Sequence, residues 1–125
     1  MILLVACSGN ESYEEMTLDQ LKDFIAEEQS GFILFTYDRD DIKTNREQVS
    51  KALEENNQTA QYFNYSEQVT NEQSTTFQQD TGTEQSRDSL GYYEDGVLMA
   101  EFESPNEWSD KNIEDLKKFI SQISN

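Results

Sequence analysis

Tyr37 is followed at once by Asp38-Arg39-Asp40-Asp41, a concentration of carboxylates just past an apolar run. Carboxylates this close could offer oxygens to a hard divalent cation. A calcium loop, however, needs a longer series of oxygen ligands with a glycine and a terminal glutamate, and none follows. No metal is therefore expected. Asp40 or Asp41 suits a different task, the cap of the helix that follows, where the helix dipole favours negative charge. Tyrosine, an apolar body with a polar tip, is a common recognition residue. Tyr37 and Tyr93 lie near the ends of apolar runs and are expected to be exposed. The candidate binding surface is thus Tyr37, Asp38, Asp40, Asp41, Asp88 and Tyr93.

Much other chemistry is absent. The chain has no histidine, which removes the commonest general base and the usual zinc ligand. Its one cysteine, Cys7, excludes an intramolecular disulfide and a Cys-x-x-Cys centre. No catalytic residue and no cofactor is expected. Lys plus Arg is 9 against 26 for Asp plus Glu, a formal charge of −17. Such a surface repels nucleic-acid phosphates and anionic headgroups. It serves solubility, or it matches a basic protein partner, a cation-rich setting, or mimicry of nucleic acid.

The elements that position these residues follow from periodicity. Within Gly31 to Tyr37, the six residues from Phe32 on are unbroken apolar, aromatic or β-branched sequence, which suits a strand covered on both faces. Before it, a helix lies within residues 13–28, with Thr17 and Gln20 as a capping box and Met16 and Leu21 as a staple. Leu18, Leu21, Phe24 and Ile25 share one face, and Ser30-Gly31 closes the helix. A second helix runs from about Ile42 to Glu55 and stops at Asn56-Asn57. Gln61 to Tyr65 is the next strand. The polar stretch from Ser66 to Ser86 holds at most a short helix near Asn71 to Gln79, stopped by Thr81-Gly82. Asp95-Gly96 between two apolar runs predicts a hairpin over Leu90 to Phe102. A last helix begins with Asn112 as cap, and Ile113, Leu116, Phe119, Ile120 and Ile123 recur at helical spacing. Two segments result: 1–12, a leader remnant and flexible tether, and 13–125, one folded domain.

This order resembles the thioredoxin fold: an α/β three-layer sandwich whose central mixed sheet ends in a β-hairpin and a closing helix. Phe32–Tyr37, Leu90–Phe102 and Ile113–Ile123 carry the likeness. In that family a Cys-x-x-Cys pair follows the central strand. Here the corresponding positions are Asp40 and Lys43, or Asp41 and Thr44. The family also places a cis-proline before the hairpin, where this chain has Arg87-Asp88-Ser89, so a trans bond is expected. The resemblance extends to Gram-positive lipoproteins and bacteriocin-accessory proteins of this fold. Leu4-Val5-Ala6-Cys7 resembles a bacterial lipobox, although the basic region and longer apolar core of a signal peptide are not present upstream.

These resemblances imply a redox-inactive, extracytoplasmic module, anchored to the bacterial membrane by a lipid on Cys7, that binds another protein and is not an enzyme. The alternatives are a thiol–disulfide accessory protein using a partner's thiols with Cys7, or a cytoplasmic acidic inhibitor mimicking nucleic acid. Direct contact with nucleic acid is not expected, nor membrane contact other than through the lipid.

Overall fold

The computed structural model describes residues 15–37, 42–68 and 81–124. The Cys7 lipobox, the cap at Asp40 or Asp41, and the helix near 71–79 lie outside these residues. So do segment 1–12 and the side chains of Asp38, Asp40 and Asp41.

The first helix, α1, is Leu18–Ala26. Its capping box forms as read: the Gln20 N–H donates to Thr17 Oγ1 at 3.1 Å, and the Thr17 N–H donates to Gln20 Oε1 at 2.8 Å. Met16 and Leu21 are both buried in one cluster, completing the staple. The helix ends earlier than Ser30-Gly31, however. The Gln29 N–H reaches back to the Phe24 carbonyl and that of Glu28 to Ile25, with Glu28 at φ 57°. This is a Schellman closure on a glutamate in place of the usual glycine.

Strand β1, Gly31–Thr36, lies inside a four-stranded sheet. It pairs in parallel with β2, Ala60–Asn64, and antiparallel with β3, Ser89–Glu94. Alternation explains its unbroken apolar sequence. Phe32 and Leu34 enter one core cluster, whereas Ile33 and Phe35 enter the other. The first cluster takes Val49, Ala52 and Leu53 from α2, Ile42–Glu54, together with Leu116 and Ile120 from the last helix. The second packs under α1 through Leu21 and Phe24. The result is three layers, with the sheet between α1 and the other two long helices. Asn57 ends α2 at φ 56°, with Gln58 N–H on Leu53 O and Asn57 N–H on Glu54 O.

A single helical turn, α3, covers Tyr65–Gln68. The hairpin is β3 and β4, Val97–Glu103, joined through Asp95 at φ 54° and Gly96 at φ 81°. Two positive φ values in succession define the type I′ turn that an Asp-Gly pair favours. A bulge sits opposite Tyr92/Tyr93, and the sheet order is β2-β1-β3-β4.

The last helix, α4, is Asp110–Ser124. Its cap is Ser109, not Asn112. The Asn112 N–H donates to Ser109 Oγ at 3.2 Å, and the Asn112 side chain reaches back to the Glu107 carbonyl at 2.6 Å. Asn112 thus stands three residues inside the cap, where its amide still satisfies a polar group before the helix.

Candidate functional site

The C-terminal end of β1 gathers residues that are distant in sequence. Thr36 is fully buried and donates its hydroxyl to Tyr62 Oη at 3.0 Å. The next residue, Tyr37, is half-buried, and its N–H donates to Asp88 Oδ1 at 2.9 Å. The Asp88 carbonyl accepts the Ser104 N–H at 2.8 Å. One aspartate therefore ties the end of β1 to the segments before β3 and after β4. An ionised acceptor makes such a bond roughly twice as strong as a neutral one.

Above this clamp, the Tyr37 ring lies 5.1 Å from that of Tyr65, tilted by 43°. The Arg87 guanidinium carbon sits 4.9 Å from the Tyr37 centroid. The arrangement is a tilted aromatic pair topped by a cation, which contributes about 0.5–1 kcal/mol where solvent reaches it. The Arg87–Asp88 bond is trans, since no peptide bond among the described residues is cis. Around this end there are aromatic faces, a guanidinium and a carboxylate, which can dock a protein surface. Among the described residues there is no thiol, no imidazole, and no group of acidic residues able to hold a metal ion.

Nearby, the N-terminal half of α2 contributes Asn45 and Arg46. The Arg46 guanidinium carbon lies 4.3 Å from the Tyr62 centroid. Asn45 is fully buried, and neither Nδ2 nor Oδ1 has a hydrogen-bond partner among the described residues. An unpaired buried amide destabilises the fold by about 1–3 kcal/mol.

Tyr93 is a correction. It is fully buried, not exposed, and it lies at the other end of β1, paired with Gly31. Its ring meets Phe24 edge-on at 5.6 Å. Its hydroxyl is 2.7 Å from Thr83 Oγ1 and donates to Gln85 Oε1 at 2.8 Å. Burial pushes the phenol well above the ordinary tyrosine range; the Thr83 hydrogen bond opposes this and the Glu101 charge adds to it. A strand-end tyrosine reads as exposed only until the polar segment before β3 folds over it.

The structure thus joins Tyr37 and Asp88 and places Tyr93 elsewhere. Sequence reasoning missed the roles of Arg87, Arg46 and Asn45. Adjacency of Arg87 to Asp88 before a strand was the one available signal for the first of these.

No family model and no curated protein matches this sequence. Solved structures do resemble it. A designed protein shares 14% identity at TM-score 0.62, covering 91% of this chain and 99% of its own. A protein described as an inferred oxidoreductase with a thioredoxin fold shares 15% identity at TM-score 0.58, again over 91% and 99%. A second designed protein, known from backbone chemical-shift assignments, shares 19% identity at TM-score 0.53 over 90% and 92%. The fold is thioredoxin-like: an α/β mixed four-stranded sheet with its helices on both faces.

Proposed function

We propose that this chain is a protein-binding module on a thioredoxin-like fold, without thiol chemistry, held at a bacterial membrane by a lipid on Cys7. The observation that carries this reading is the Tyr37–Tyr65–Arg87 group clamped by Asp88 at the end of β1. That is the place where the thioredoxin family keeps its cysteine pair. The sequence there offers Asp40 and Lys43, or Asp41 and Thr44, and the single cysteine stands at position 7, more than thirty residues earlier in the sequence. One neighbour is described as an inferred oxidoreductase, but fold alone does not supply an activity. The charge of −17 favours a basic protein partner and disfavours nucleic acid.

The lipid half of the proposal rests on the likeness of Leu4-Val5-Ala6-Cys7 to a lipobox, and it requires a signal peptide. A diacylglyceryl group with an added acyl chain passes the two-chain threshold for stable anchoring, at ~0.8 kcal/mol per buried CH₂. Expression from the nearest upstream start codon in a Gram-positive host, followed by mass spectrometry of the Cys7 peptide, tests it. A lipid-modified cysteine in the membrane fraction is expected. An unmodified Met1 peptide from a soluble product would overturn the anchor.

A further inference from the structure

The two edges of the sheet are treated differently. At the β2 edge, Glu15 bridges to Tyr62, and the Met16 N–H donates to the Tyr62 carbonyl at 2.7 Å. At the other edge, β4 pairs with β3 alone among the described residues. Among the described residues, this edge strand also carries the exposed large hydrophobics, Val97 at 59% and Met99 at 57% exposure. Bare edges are usually guarded by lysine, proline or a bulge. Here there is a bulge: Leu98 pairs with Tyr93 and Ala100 with Tyr92, which leaves Met99 between them. The other guard is negative charge. From Ser89 to Ser109 the chain carries Glu94, Asp95, Glu103 and Glu107, besides Glu101, whose carboxylate accepts the Ser86 N–H, and no lysine or arginine.

A purely acidic guard is selective. It repels a second copy of a chain with charge −17, nucleic acid and anionic lipid, but it attracts an extended cationic segment. We propose that the β4 edge takes up an extended segment of a basic protein, alternating lysine or arginine with β-branched residues, as an added strand. Main-chain hydrogen bonds along Ala100–Glu103 supply the attachment, and Val97 and Met99 receive alternate apolar side chains. The bulge at Met99 breaks the edge, so it accepts one short segment and does not template a longer sheet. This edge lies two strands away from β1, so the inference depends neither on the Tyr37 group nor on Cys7.

The test uses the full chain and two acetylated, amidated seven-residue peptides of equal charge, one alternating lysine with valine, the other lysine with proline. Amide chemical shifts and affinity are followed by NMR titration. The valine peptide should perturb the amides of Val97 to Glu103 first and bind at least tenfold more tightly than the proline peptide, which lacks alternate donors. The double variant Val97→Thr/Met99→Thr removes apolar contact without changing charge. It should weaken the valine peptide about tenfold while leaving the thermal midpoint unchanged, because both side chains are mostly exposed. Equal binding of the two peptides would show charge attraction alone and overturn the proposal. Absence of binding, or perturbation confined to another surface, would do the same. A concentration-dependent dimer abolished by the threonine variant would make a second copy the occupant, also against the proposal.

Discussion

Replacing Gly91 by alanine isolates the contact that holds the segment before β3 against the sheet. A Cβ at Gly91 would meet Gln85 Cδ and Oε1 at 2.5 Å and Nε2 at 2.9 Å. Ordinary contact begins near 3.5 Å, so the amide must retreat by about 1 Å. It is not free to do so. Gln85 Nε2 donates to the Ile33 carbonyl at 2.9 Å and the Ser89 carbonyl at 3.0 Å, and Oε1 accepts from Tyr93. With those bonds each contributing about 1 kcal/mol, Gly91→Ala should destabilise by about 2–3 kcal/mol. Gln85→Ala should lose a similar amount, since the same bonds go with it. In the Gln85→Ala background the methyl has space, and Gly91→Ala should become neutral or slightly stabilising by reducing unfolded-chain freedom. Urea titrations followed by Trp108 fluorescence would give the four stabilities of the cycle. A coupling of about 2–3 kcal/mol is expected. Additive costs in the double variant would refute the reasoning, because Gly91 and Gln85 would then not compete for the same space.

Asn45→Leu should raise stability by about 1–3 kcal/mol in the same titration, because it removes a buried amide whose polar atoms are unpaired; destabilisation would mean that the amide is satisfied in solution. Tyr93→Phe should cost about 1–2 kcal/mol near neutral pH by removing the hydroxyl that bonds Thr83 and Gln85. It should also change the alkaline limb. The folded phenol titrates above the unfolded one, so the stability it protects is complete below about pH 10 and falls by up to ~1.4 kcal/mol per pH unit above it. Stability measured between pH 9 and 11 should fall less in Tyr93→Phe than in the parent; equal slopes would place the hydroxyl in contact with water.

What was legible in the sequence was what short-range rules decide. The Thr17–Gln20 capping box, the Asp95-Gly96 turn, the Asn57 stop and the α4 stripe each depend on residues within a turn or two. The unbroken run of β1 marked the central strand because its residues face both clusters. Helix ends were less legible. Ser109 and Asn112 are both good caps, and only geometry chooses between them. Glu28 closes α1 in a conformation that its side chain does not announce. Half of the candidate site could be read: Tyr37 follows the strand, and Asp88 was named by its place before the hairpin. Their hydrogen bond spans 51 positions in the sequence, and the Arg87–Tyr37 contact is equally remote, so no local pattern encodes either. The burial of Tyr93 is illegible for the same reason, because its cover comes from Thr83 and Gln85, which only the fold brings over it.

The proposed function requires that this thioredoxin-like domain act without thiol chemistry. A thiol–disulfide exchange assay on a disulfide-bonded protein substrate, with dithiothreitol as reductant, tests it most directly when the full chain and its Cys7→Ser variant run side by side. Both should match the uncatalysed rate, because the positions after β1 offer no thiolate and Cys7 is the chain's one thiol. Turnover by the parent that disappears in Cys7→Ser would overturn the proposed function and make the chain an oxidoreductase.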